Sequence, residues 1–366
     1  MFERRLYFHI DWLLLAAILM LAAIGVAIIY SATYNPVQGA PGPQFWTQLY
    51  ALVLGVLAML VCLSIDYRRL AEHSLLIYAL LLAALLYVLL FGAVRGGARR
   101  WIDLGSFNLQ PSEFGRMVLA LVLAMYYGEN RRGARTNGDL LIGAGFMALP
   151  FVLIARQPDL GTAATLLPVF LGAAYVAGMR MRLLAVMALI GALMAPVAWS
   201  YALKDYQRQR IETFVSPERD PRGAGYQQIQ ARITVGSGGL TGKGYMKGTQ
   251  GQYKFLPVAH NDFIFSVLAE EQGFIGVLAA LGLYLFIILR SLEAARLAKD
   301  RLGAYLVAGI VAGFSFQVIY NVTMSAGLAP VKGLTLPLLS YGGSAAIATL
   351  AAFGLVLNVR MRRFTN

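Results

Sequence analysis

The sequence predicts an all-α polytopic membrane protein: a bundle of about ten transmembrane helices with one long extracytoplasmic loop. Three observations predict it. Hydrophobic residues make up 58% of the chain and charged residues only 13%. Mean hydropathy is +0.64. Apolar runs close to the roughly twenty residues that cross a bilayer recur along all 366 residues. Hydrocarbon cannot satisfy backbone polar groups, so runs this long and this apolar span as helices.

In chain order the candidate spans are 12–31, 48–65, 74–92, 112–128, 139–155, 159–178, 183–203, 262–289, 302–325 and 341–359. The first is too long for a signal-peptide core and lacks a small-residue cleavage site, so it reads as a retained span. The second holds Cys62, the single cysteine, which excludes an intrachain disulfide. The fourth and sixth open on related segments, Gln110-Pro-Ser-Glu113 and Gln157-Pro-Asp-Leu160. Proline fits a first helical turn, and an acid there complements the helix dipole. The eighth begins at Asp262, after the polar stretch 204–261. No soluble domain is appended. The chain reads as one integral-membrane domain, 1–366, containing the large extracytoplasmic loop 204–261.

The net charge is +13. In such a chain this points to cytoplasmic loops and anionic headgroups, and no nucleic-acid partner is expected. Arg4, Arg5, Arg68, Arg69, Arg131, Arg132, Arg135, Arg180, Arg182, Arg290, Arg296, Lys299, Arg301, Arg360, Arg362 and Arg363 fall at alternate connections. The positive-inside rule then puts both termini in the cytoplasm. Two outer segments break the bias: 93–111, with Arg95, Arg99 and Arg100, and the long loop. The short one calls for either an anionic ligand or a tolerated exception.

Few residues carry chemistry. Asp262 sits where the polar loop meets an apolar helix. Partial desolvation there raises a carboxyl pKa and suits a general base, yet Asp is also a favoured N-cap. Position alone leaves both readings open. Glu270 and Glu271 lie deeper in the same span, and helical geometry turns Glu270 nearer the Asp262 side. It lines the same cavity or pairs with another helix. The stretch from Gly236 to Gly244, which includes Lys243, lacks the spacing and Ser/Thr of a P-loop. It reads as a backbone that wraps a phosphate or as a solvated loop. Glu113 and Asp159 sit in first turns, where dipole complementation competes with catalysis. His260 is a second titrating group or a solvated histidine. Trp46, Trp101 and Trp199 read as interfacial anchors. No His/Cys cluster has metal-ligand spacing.

Taken together, the motifs resemble the SEDS family of bacterial membrane proteins (shape, elongation, division and sporulation). They are Gly97-Ala-Arg-Arg-Trp101-Ile-Asp-Leu-Gly105, Gln110-Pro-Ser-Glu113, Gln157-Pro-Asp-Leu-Gly-Thr162 and Asp220-Pro-Arg-Gly-Ala-Gly-Tyr-Gln227. Then come Gly236-Ser-Gly-Gly, Gly242-Lys-Gly, Gly248-Thr-Gln250, Phe255-Leu-Pro257, His260-Asn-Asp262-Phe-Ile-Phe265, Pro330-Val-Lys332-Gly and Leu339-Ser-Tyr-Gly-Gly343. Each is weak alone; in this order they are specific and cover essentially the whole chain. The short N-terminal lead before Asp11-Trp12 is most similar to the rod-elongation members, with division or sporulation paralogues as the alternative.

The resemblance implies a peptidoglycan glycosyltransferase of the bacterial inner membrane that polymerises lipid II at the outer face. The family's catalytic aspartate falls on Asp262. Glu113, Asp159 and Lys332 match positions lining a central cavity. Arg100, Lys332 and Arg116 are the implied cations for the departing pyrophosphate. The implied partners are a class B penicillin-binding protein and elongation-complex membrane proteins. A divalent cation, Mg²⁺ or Mn²⁺, is the one cofactor left open, with no residues assigned. The chain departs from the family at Val258, Asn261, Arg116, Thr335 and Ala345, where Glu, Thr, Lys, Pro and Ser are usual. Val258 removes a second carboxylate near Asp262. The rival readings are a lipid II flippase and a noncatalytic scaffold.

Overall fold

The computed structural model describes residues 9–364, apart from 36–37, 96–97, 106–107, 130–136, 221–222, 253–254, 258 and all of 181–204 except 182, 183, 186, 189, 193 and 200. Its helices are α1 (Trp12–Thr33), α2 (Pro43–Ser64), α3 (Tyr67–Glu72), α4 (Ser74–Phe91), α5 (Gly115–Glu129), α6 (Asn137–Arg156) and α7 (Leu160–Val176). They continue as α8 (Asp205–Val215), α9 (Ala224–Ser237), α10 (Thr249–Gln252), α11 (Ile264–Arg296), α12 (Arg301–Ser325) and α13 (Gly343–Met361).

Each expected span except 183–203 coincides with one of these helices; most of that one lies outside the described residues. Seven described helices are long and apolar enough to cross a membrane: α1, α2, α4, α6, α11, α12 and α13. The protein is a multi-pass membrane protein. Helix α5 has 15 residues, and the 3₁₀ turn Pro111–Phe114 extends it. Helix α11 runs past the expected end at 289 to Arg296 and breaks at Gly273. The described part of 204–261 is largely helical, as α8, α9 and α10. The sequence reading treated it as loop because its polarity hides the helical period.

Helix α13 is the buried centre, and α2 packs along it. Helix α12 lies between α5, α7 and α11. Small residues let backbones close up, as membrane packing requires. A Cβ on Gly354 would stand 2.5 Å from Met59 O.

The two ends of the bundle differ. At the end holding the start of α1 and the end of α13, ion pairs tie the elements together. Asp11 pairs with Arg290 at 2.9 Å and Arg360 at 2.7 Å. Arg68 pairs with Asp300 at 2.7 Å, and Arg362 with Asp66 at 3.2 Å. The Asn358 amide donates to the carbonyls of Cys62, Leu63 and Ile65. At the other end, short strands cover the helix starts. Strand β1 (Tyr34–Asn35) pairs with β2 (Ala40–Pro41). Strands β3 (Ala93–Arg95), β4 (Ala98–Asp103) and β5 (Asn108–Leu109) form an antiparallel sheet in that order.

Candidate active site

At the strand-covered end the starts of α2, α5, α7, α11 and α13 surround a cavity of about 460 Å³. Asp262, Asp159, Glu113 and Arg100 line it, with Trp101, Gln110, Asn261 and Tyr341 among their neighbours. Four residues singled out from sequence thus converge.

Asp262 is placed by its backbone. Asn321, fully buried on α12, donates to Asp262 O at 2.9 Å and to Leu334 O at 2.6 Å. The carboxylate is not a cap: the N-cap of α11 is Phe263, and it makes no side-chain capping bond. The capping reading that position left open is thereby excluded. Burial pushes the Asp262 carboxyl up to about 6; Arg210 pulls it down, Asp159 raises it and Arg100 lowers it.

Asp159 does cap. It is the N-cap of α7, accepting from Thr162 N at 3.2 Å and Thr162 Oγ1 at 3.0 Å. It also accepts from Gln110 Nε2 at 3.2 Å. Arg100, delivered by β4, lies 3.6 Å from Asp159 Oδ2 and donates to Gln157 O and Pro158 O. The far wall is the turn 341–344. Gln48 Oε1 accepts from Gly342 N at 3.0 Å, and Ser344 Oγ accepts from Gln110 N at 2.9 Å.

Other expected site residues lie elsewhere. Arg116 does not line the cavity; it pairs with Glu113 at 2.7 Å, and Glu113 lines both the cavity and a small apolar pocket that Arg116 shares beside Phe314 and Phe353. Glu270 and Lys243 are not among the residues lining the cavity. They form a clasp with each other at 2.7 Å, and Glu270 also accepts from Thr249 N and Gln250 N. The helical-wheel argument for Glu270 took Asp262 as a helical residue. The helix starts at Ile264, so the wheel does not fix the direction of Asp262. The glycine-rich stretch does not offer its amides to a phosphate either. At Gly273, with φ +64°, the helix ladder opens and residues 239–244 insert. Lys243 N and Gly244 N donate to Glu270 O and Glu271 O, while Phe274 N and Ile275 N donate to Gly239 O and Leu240 O. A Cβ on Gly273 would meet Gly242 N at 2.2 Å, so glycine is required.

His260 stands behind the cavity wall. Its ring packs edge-on to Tyr341 at 5.7 Å, and burial lowers its pKa. Lys332 is half-buried in the adjacent loop, its ammonium 6.0 Å over the Tyr320 ring. Lys254, a further cation of the long loop, and Val258 lie outside the described residues. Sequence reasoning missed Asn321 and Arg210. A polar Asn within an apolar run was the available signal for the first. For the second it was the Arg208-Gln-Arg210 segment of α8. Among the described residues no group of three or more His, Cys, Asp or Glu forms a metal cluster.

The family model for FtsW, RodA and SpoVE, described as cell cycle protein, matches residues 11–364. The peptidoglycan glycosyltransferase MrdB of Escherichia coli K12 is 36% identical, over 97% of this chain and 94% of that protein. The peptidoglycan glycosyltransferase RodA of Treponema pallidum is 32% identical, over 96% of this chain and 98% of that one. A chain of a solved peptidoglycan synthase complex that coordinates polymerization and crosslinking superposes with a TM-score of 0.84 at 34% identity. It covers 98% of this chain and 99% of that one. The crystal structure of the rod shape determining protein RodA of Thermus thermophilus has a TM-score of 0.73 at 31% identity, covering 98% of both chains.

Proposed function

The chain belongs to the SEDS family and is a peptidoglycan glycosyltransferase, and from that premise we propose how its cavity performs the transfer. The donor is lipid II or a growing strand carried on polyprenyl pyrophosphate. The acceptor's GlcNAc 4-hydroxyl attacks C1 of the donor MurNAc. The C1–oxygen bond to the pyrophosphate breaks, and its electron pair leaves on the phosphate oxygen. Asp262 takes the hydroxyl proton as general base.

One observation carries this reading: the Asp262 carboxylate faces the cavity uncapped, held through its backbone by Asn321, with a carboxyl pushed up to about 6. A base of that kind is largely ionised at neutral pH and still basic enough to accept a proton. The cavity end is the outer face and the ion-paired end, with both termini, the cytoplasmic one; the distribution of short-loop cations supports this. Residues 204–261 are then extracytoplasmic. A divalent cation enters only as a companion of the pyrophosphate. Mg²⁺ commonly keeps waters and takes one or two carboxylates plus substrate phosphates. No step here runs through it. The partner is a class B penicillin-binding protein, working with other membrane proteins of the elongation complex.

Lipid II polymerisation by the purified chain with its partner tests the assignment. Asn matches Asp in shape but cannot accept the proton. Asp262→Asn is expected to lower the rate about 10²–10⁴-fold with expression and partner binding intact. Polymerisation near the wild-type rate would remove Asp262 from the chemistry.

A further inference from the structure

Of the cations expected at the site, Arg100 lines the cavity; it, the others and Arg210 fall into two groups. Arg100 is occupied by Asp159 and two carbonyls, Arg116 by Glu113, and Lys243 by Glu270. Each is a strut of the protein itself. Arg210 and Lys332 differ: among the described residues neither forms an ion pair with a carboxylate. Arg210, exposed on α8, donates from Nη1 to Val331 O at 3.3 Å. Lys332 is the next residue along that segment. Gly333 follows, and a Cβ on it would stand 3.5 Å from Asp262 Oδ2. Residues 331–333 thus bring a guanidinium, an ammonium and the proposed base along one short stretch beside the cavity.

Asp262 interacts with Arg210 without pairing to it, so the two cations still repel each other, and the cost falls when a further anion sits between them. Their mutual effect is visible: the Lys332 pKa is lowered, first by burial and then by Arg210. We propose that Arg210, with Lys332, forms the subsite for the departing diphosphate, while Arg100, Arg116 and Lys243 hold protein structure. This rests on the glycosyl-transfer reading. When the C1–oxygen bond breaks, negative charge grows on the leaving phosphate oxygen. The planar fork of Arg210 matches two phosphate oxygens, and Lys332 adds a point charge. The proton goes the other way, from the attacking hydroxyl to Asp262. The proposed leaving-group site and the base thus both adjoin one segment, 331–333.

The test is binding of farnesyl diphosphate to the purified full chain, with farnesol as the uncharged control. Arg210→Ala is expected to weaken farnesyl diphosphate binding about ten- to a hundredfold, the size of a charge-assisted hydrogen bond to phosphate. Arg210→Lys is expected to recover part of it. Farnesol binding is expected to stay unchanged, as is farnesyl diphosphate binding by Lys243→Ala. Should Arg210→Ala fail to fold, Arg210→Gln decides by the same titration. Unweakened diphosphate binding by the folded Arg210 variant overturns the subsite. Asp262→Asn separates the two proposals. It is expected to bind farnesyl diphosphate at least as tightly as wild type, having lost a negative charge, while not polymerising. An Asn variant that polymerises would overturn the base and leave the Arg210 subsite standing.

Discussion

Asp262 shows what one residue can and cannot reveal in sequence. Its place between a polar stretch and an apolar helix was legible. Whether it caps that helix was not, because the cap is set by where the backbone turns, and Phe263 takes that position. The consequence is measurable in pH. A general base works ionised, so with a carboxyl near 6 the rate constant is expected to fall about tenfold per pH unit below that value. Neighbours move this acid limb with opposite signs. Asp159 raises the Asp262 pKa, so Asp159→Asn is expected to shift the limb to lower pH; Asn can still cap α7. Arg210 lowers it, so Arg210→Gln is expected to shift the limb upward. pH–rate profiles of the two variants check both signs. Limbs that move together, or not at all, would mean another group titrates.

At the scale of elements, α11 is two helices joined through inserted chain. The glycine density of 236–244 was visible in the sequence, and its use was not. The amides of Lys243 and Gly244 meet carbonyls of Glu270 and Glu271. Those partners lie far along the chain, and a lone glycine in an apolar run gives little sign of a helix break. The arrangement holds the short first half of α11, which begins next to Asp262. Gly273→Ala combines a positive φ with a backbone collision, so it is expected to destabilise the fold by more than about 2 kcal/mol. Glu270→Gln removes the charge that four donors share and leaves Lys243 without its carboxylate partner. Its expected cost is about 1.5–3 kcal/mol, the range for hydrogen bonds to charged groups. Thermal unfolding in detergent measures both. A Gly273→Ala variant that melts with wild type would show that α11 tolerates continuity there.

At the scale of the whole molecule, the helical bundle was legible because the bilayer leaves few alternatives: apolar length alone marks the spans. The short sheet of β3, β4 and β5 was not, since strands of two to six residues carry too little periodicity. It nonetheless delivers Arg100 and Trp101 to the cavity. Within the proposed orientation, the contacts of Arg99 and Arg100 account for cations in the short outer segment 93–111. Arg99 donates to Leu90 O and Arg100 to carbonyls at the start of α7, so both serve the cover of the site. They do not need a cytoplasmic location. Cysteine labelling tests the orientation. With Cys62 replaced by Ser, a cysteine at the exposed Thr241 is expected to react with a membrane-impermeant maleimide in intact cells. One at the exposed Arg296, near the opposite end of α11, is expected to react only after lysis. The reverse pattern would put the cavity on the cytoplasmic side, where a strand destined for the cell wall could not be assembled in place.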